Sequence, residues 1–347
     1  MSKRKPFAIG EHEIAAGTRR TVDLPVGVLS DHTPVNLSVH VVHGGRPGPT
    51  LFVSAAVHGD EIIGVEIVRR LLNISDLDDI AGTLMAVPVV NAFGFLNHSR
   101  YLPDRRDLNR SFPGSPTGSL AARLANLFFA EIVCRSSVGI DLHSAAIHRT
   151  NLAQVRISSG NNRTLALAEA FGAPVILFSQ VRSGSLRQAA ERQGVDVLLY
   201  EAGEGLRFDE HAVRTGVSGI LRVMHSIGMI DGSEVTDLAT RPVVSTSSSW
   251  LRAPVGGLLR TFKTIGSEIA AGDVLGMISD PFGDVDQEIT SRNPGLIIGR
   301  TNLPIVYEGD GLFHIARVSK SSDPETTIEE LAEQIDADPI FDEDEII

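Results

Sequence analysis

Between residues 50 and about 230, short apolar runs alternate with helical patterns, and few folds accommodate that alternation. The runs lie at 51–57, 83–90, 138–142, 152–157, 174–178 and 195–200. Each has the length and continuity of a strand buried on both faces. Between them, apolar residues recur with helical spacing over 61–73, 118–134, 163–171, 184–193 and 209–227, the mark of helices that bury one stripe. This pattern predicts an α/β domain whose mainly parallel or mixed sheet is covered by helices on both faces.

The flanks differ. Residues 18–43 alternate loosely and predict two or three strands leading into the first buried one. Past 240 the chain turns Ser/Thr-rich, and glycines interrupt short apolar segments too often for helices. A small all-β module is expected there. The predicted organisation is therefore a β-rich lead-in (1–45), an α/β domain (46–240), a small β domain (241–320) and an acidic tail (321–347).

Charge narrows the function classes. Of the net −12, residues 321–347 contribute eleven Asp or Glu and no Lys or Arg, leaving 31 bases against 32 acids in residues 1–320. The acidity belongs to a tail of the kind that is usually a solvated or disordered segment, with docking on a basic partner surface as the alternative, and nothing favours nucleic-acid binding. No apolar run approaches the 18 or so residues of a membrane span, and no signal peptide follows the basic N-terminus. The single cysteine, Cys134, fits a reducing cytoplasm.

Several apolar runs end in residues too polar for their position. HGDE follows the first run at 58–61; NAFGFLNHSRYLPDRRDLNRSFPG follows the second at 91–114; DLH closes the third at 141–143; YEAGEG closes the last at 200–205. In open α/β sheets, ligands bind at the carboxyl ends of strands, so these groups could share one rim. Two histidines and a carboxylate, with a fourth position left for water, make a hydrolytic zinc site. His58 and Glu61 share one turn, with His143 a more distant third ligand, and Glu201 could shuttle the water's proton. An arginine would stabilise the developing oxyanion and another would hold a substrate carboxylate. Taken singly, each feature also has a plain structural reading: a polar loop capping a helix, a hydrogen-bonded strand-end histidine, a solvated arginine cluster. Asp141 reads equally as a buried structural acid or as a partner of a metal-binding histidine, and His43, His98 and His148 read as surface or loop histidines.

The four motifs HGDE, RDLNRSFPG, DLH and YEAGE, in this order, resemble the succinylglutamate desuccinylase/aspartoacylase family of the zinc carboxypeptidase-like superfamily. The resemblance spans about residues 45–320. It implies one Zn2+ per chain held by His58, Glu61 and His143, with Glu201 as general base. Asn109 and Arg110 would clamp a substrate carboxylate with Arg106 beside them, and Arg100 would serve the oxyanion. A connection slightly longer than is usual in the family leaves Arg105 or Arg106 as alternatives to Arg100, and Glu204 competes with Glu201. The β module is similar to biotinyl/lipoyl carrier barrels, but its hairpin SDPFGDVDQ has no lysine to load, so it is expected to cover the site's rim or to mediate homo-oligomer assembly.

The implied activity is a zinc amidohydrolase that removes the acyl group from a small N-acylated amino acid or related amine bearing a carboxylate. A zinc carboxypeptidase acting on short peptides and a catalytically lapsed binding protein of the same fold are the alternatives. A serine hydrolase is disfavoured because no G-x-S-x-G occurs, and the glycine signatures of nucleotide sites are missing too.

Overall fold

The computed structural model describes residues 4–232, 235–284, 286–318 and 323–338. A hairpin, β1 (Phe7–Ile9) and β2 (His12–Ile14), precedes two long antiparallel strands, β3 (Thr18–Val28) and β4 (Pro34–His43). The α/β region then runs β5 (Arg46–Ala55), α1 (Ile63–Leu71), β6 (Ala81–Val87), a short α2 (Ala92–Leu96), α3 (Leu120–Glu131), β7 (Val138–His143), β8 (Arg149–Ile157), α4 (Asn162–Phe171), β9 (Val175–Phe178), α5 (Leu186–Gln193), β10 (Asp196–Gly203) and α6 (Glu210–Ser226). Every residue of β6 and β7 is buried, as continuous apolar runs require.

Strands β6, β5, β7 and β10 are neighbours and all parallel, so their carboxyl ends point the same way. Antiparallel β4 flanks β6, and antiparallel β8 flanks β10. One face packs against α1, α4 and α6 around Ile67, Phe171 and Val217. The other packs against α3, α5 and the hairpin around Phe52, Phe128 and Leu186. Side-chain caps start several helices: Ser119 accepts from Ala122 N–H for α3, and Asp209 from Ala212 N–H for α6.

Between residues 243 and 316 the described residues form strands: β11 (Val243–Ser245), β12 (Ser248–Arg252), β13 (Gly257–Thr261), β14 (Glu268–Ile269), β15 (Val274–Ser279), β16 (Asp286–Thr290), β17 (Gly295–Thr301), β18 (Ile305–Val306) and β19 (Gly311–Ala316). This region is not a separate layer, however. β17 pairs with β8, and β19 and β12 continue outward, so one sheet crosses both regions. Strands β16, β15, β13 and β18 form a second, antiparallel sheet over a core including Leu275 and Phe313.

The acidic tail departs from expectation. Residues 324–336 form a helix, α7 (Pro324–Asp336), started by Asp323 and packed on α6 through buried Leu331 and Ile335. Residues 339–347, the rest of the expected solvated tail, lie outside the described residues.

Candidate active site

Two strand ends meet at one point. Just beyond β5, His58 and Glu61 occupy a tight turn closed by the Glu61 N–H donating to His58 O at 3.1 Å. Gly59 is there because the α2 backbone crosses directly above: a Cβ at this position would lie 1.9 Å from the carbonyl carbon of Gly94. His143 is the last residue of β7, buried like the other two. One ligating atom from each of His58, Glu61 and His143 falls within 4.8 Å of the others.

His58 Nδ1 lies 2.8 Å from Glu61 Oε1, and His143 Nδ1 lies 2.6 Å from Glu61 Oε2. The opposite ring nitrogens are held by further acids. His58 Nε2 meets Asp107 Oδ1 at 3.1 Å, and His143 Nε2 meets Asp141 Oδ2 at 2.8 Å. Asp141 is itself fixed by Ser54 Oγ at 2.8 Å, which faces it in the β5–β7 register. Asp107 also accepts from Asn109 N–H at 2.8 Å and from Arg100 Nη2 at 3.0 Å, while Arg100 Nη1 donates to Glu61 Oε1 at 3.0 Å.

These contacts decide the charge states. Burial alone would raise the Glu61 carboxyl, but the two imidazoles beside it hold it well below the usual carboxylate range. Burial opposes charging of the rings, yet Glu61 and Asp107 raise His58, and Asp141 and Glu61 raise His143. Asp107, despite burial, is held low by His58 and Arg100.

The donor set fits a divalent metal ion. His58 Nδ1 is buried without a hydrogen-bond partner although Glu61 is only 2.8 Å away, the mark of atoms converging on a shared centre rather than on each other. The surrounding acids favour a proton on each ring, and a divalent ion would replace those protons: with both rings neutral, the cluster holds three negative charges (Glu61, Asp107, Asp141) against one positive (Arg100), a surplus of two. Carboxylates on the outer ring nitrogens are the usual support of metal-binding imidazoles.

A cavity of about 820 Å³ opens from this point and is lined also by Arg100, Asn109, Arg110 and Glu201. Glu201 lies opposite His143 in the parallel β10–β7 register, which puts both side chains on one face of the sheet. Its Oε1 pairs with Arg156 at 3.0 Å, and its Oε2 accepts from Asn151 Nδ2 at 2.8 Å. Asn109 does a structural duty too, its Oδ1 accepting from Leu186 N–H at 2.9 Å where α5 begins. From the C-terminal strands, Ser248, Trp250 and His314 complete one wall.

Three expectations need correction. Arg106 points away from the cavity, its side chain 63% exposed beside Asp104, because the 103–107 turn throws it outward; neighbouring Arg105 is exposed as well. Glu204 accepts from His148 N–H and Asn302 Nδ2, bracing β8 against the chain after β17 rather than facing the cavity. His43 is buried, not a surface histidine, and bonds Thr83 Oγ1 at 2.9 Å and Lys5 O at 3.0 Å.

Sequence reading passed over Asp107, Asn151 and Arg156. Asp107 had a signal, an Asp two residues ahead of Asn109 inside the RDLNR motif. Arg156 had no such signal, being one of several polar residues in a strand that also carries Arg149, Asn151 and Gln154.

Comparison with known proteins bears on the family and the fold. Residues 47–227 match the model of the succinylglutamate desuccinylase/aspartoacylase catalytic domain. The N-alpha-acetyl-L-2,4-diaminobutyric acid deacetylase of Halomonas elongata is 29% identical over 307 residues, covering 83% of this chain and 87% of that protein. A solved succinylglutamate desuccinylase/aspartoacylase from Rhodobacter sphaeroides superposes with a TM-score of 0.78 at 26% identity, covering 87% of this chain and 96% of its own. The product-bound ectoine utilization protein EutE (DoeB) from Ruegeria pomeroyi has the same fold, with a TM-score of 0.77 at 24% identity over 87% and 95% of the two chains.

Proposed function

The chain belongs to the succinylglutamate desuccinylase/aspartoacylase catalytic-domain family, and from that premise we propose that it is a zinc-dependent amidohydrolase that deacylates a small N-acylated amino acid. The observation that carries this is the convergence of His58, Glu61 and His143 on one buried point, with both outer ring nitrogens tied to carboxylates. These three residues would hold the zinc, which when bound supplies a Lewis acid and a water of lowered pKa.

The remaining roles fall to the protein's own groups. Glu201 takes a proton from the attacking water and delivers it to the leaving amine nitrogen. Arg100, next to Glu61, stabilises negative charge growing on the carbonyl oxygen. Arg110, with the Asn109 amide, receives the substrate carboxylate at the cavity wall. The cavity is lined by six arginines (Arg100, Arg110, Arg149, Arg156, Arg182, Arg187) against three acids (Glu61, Asp141, Glu201), a balance that suits an anionic ligand.

A deacylase is favoured over a carboxypeptidase because Trp250 and His314 wall the cavity from the C-terminal strands, which suits a small substrate better than a peptide. A lapsed binding protein would have no need of every ligand and base position.

The test is elemental analysis beside activity. About one zinc per chain, lost in His58→Ala and in His143→Ala, is the expected result. Amine release is then assayed first with Nα-acetyl-diaminobutyrate, the substrate class of the Halomonas relative, and then with N-acetylaspartate and N-succinylglutamate. Absence of metal after zinc addition, or equal metal in the variants, overturns the reading.

A further inference from the structure

The carboxylate assigned as the base is held by two side chains of the neighbouring strand. Glu201 Oε1 pairs with Arg156 at 3.0 Å, and Oε2 accepts from Asn151 at 2.8 Å. Both partners belong to β8, which runs antiparallel to β10.

The register explains how one strand reaches both oxygens. Arg156 lies opposite Leu199, two residues before Glu201 and so on the same face. A bulge between Glu201 and Gly203 then brings Asn151 opposite Gly203. The two donors thus approach the carboxylate from either side along the strand. Arg156 is steadied in turn, its Nε donating to Gln154 Oε1 at 3.4 Å.

We propose that Arg156, assisted by Asn151, is the positioning residue of Glu201, acting on the reaction only through the orientation it imposes on that carboxylate. This rests on the reading of Glu201 as the base. A glutamate at a strand end has three rotatable bonds, and a misplacement of about 1 Å can cost on the order of 10²-fold in rate. Two fixed donors remove that freedom.

A direct role for Arg156 in holding the substrate is the competing assignment, and the distribution of partners speaks against it. Arg110, Arg182 and Arg187 line the same cavity with no ion-pair partner among the described residues, whereas Arg156 is already engaged by Glu201. A ligand carboxylate meets less competition at the unpaired three. The Arg156–Glu201 contact also crosses between strands, so it ties the base to the part of the sheet that leads on to β17 and the C-terminal wall.

Steady-state kinetics on the best substrate, with metal content measured alongside, test this in Arg156→Gln, Arg156→Lys, Asn151→Ala, Glu201→Ala and the double variant Arg156→Gln/Glu201→Ala. Arg156→Gln is expected to lower kcat on the order of 10²-fold while KM stays within about threefold. Arg156→Lys, which keeps a cationic donor, recovers part of the loss. The double variant, followed over long incubations, turns over no more slowly than Glu201→Ala alone, because a residue that works through Glu201 has nothing left to act on.

Losses that add in the double variant, a raised KM with kcat kept, or loss of metal from Arg156→Gln would each overturn the assignment. If Arg156→Gln does not fold, Asn151→Ala is judged by the same criteria. A wild-type protein that holds zinc but hydrolyses none of the N-acylated compounds overturns the functional reading, and this inference with it.

Discussion

At the scale of single residues, two carboxylates brace the histidines of the site. Asp107 and Asp141 fix the outer nitrogens of His58 and His143, and removing such partners typically weakens metal binding by about 10–100-fold. Asp141→Asn and Asp107→Asn are therefore expected to lose zinc to a competing chelator at correspondingly lower chelator concentrations, with the fold intact by circular dichroism. Glu201→Gln is a different case. It should bind zinc normally while kcat falls on the order of 10²–10⁴-fold, so a variant that keeps its rate would remove Glu201 from the chemistry. His58, His143 and Glu201 were legible because each stands where an apolar run gives way to polar residues, and Glu61 because it shares the turn that His58 opens. Asn151 and Arg156 were not, because their meaning depends on β8 lying antiparallel beside β10 in one register, and no local pattern specifies a neighbour.

At the scale of elements, strands and helices followed their periodicity closely: 138–142 expected against Val138–His143 observed, and 163–171 against Asn162–Phe171. Helix α7 was missed for a physical reason. Its charge suggested a solvated tail, yet Ile328, Leu331 and Ile335 recur with helical spacing, and the last two are buried in a helix that packs on α6. Close approach of elements was also hidden. Gly64 in α1 sits on the two strands that lead to the His58–Glu61–His143 cluster: a Cβ there would lie 2.7 Å from Leu142 Cβ and 2.8 Å from Ala55 Cβ, a pair in register just before the cluster. Gly64→Ala should therefore push α1 off the sheet, costing about 1–3 kcal/mol in urea unfolding, and loosen zinc as well because Glu61 lies in the turn that leads into that helix. Wild-type stability and affinity in this variant would show that the helix can shift freely.

At the scale of the whole molecule, the expected boundary near 240 is crossed by a continuous sheet, so the α/β region and the C-terminal strands stabilise each other. The composition change at 240 was visible; the pairing of β17 with β8 was not, since it joins residues about 150 positions apart. One consequence can be measured through His314 on β19. Its ring stacks on Trp250 at 4.8 Å and bonds Ser248 Oγ at 2.8 Å, with Nδ1 buried and unpartnered. Burial first, and the charge of Arg156 second, push it down to about 3 from an ordinary 6.5. The folded state thus keeps a neutral ring where the unfolded chain takes up a proton. Above pH 6.5 both states are neutral and His314 adds no pH dependence. As pH falls from 6.5 towards 3 only the unfolded chain binds the proton, so stability declines by about 1.4 kcal/mol per pH unit from this group. Below about 3 both states are protonated and the slope from this residue ends. His314→Gln should have a shallower loss of unfolding free energy between pH 6 and 4 by roughly that slope, whatever its stability at neutral pH. Parallel wild-type and variant curves over that window would mean that the folded wall admits the proton, and with it enough water to solvate the charge.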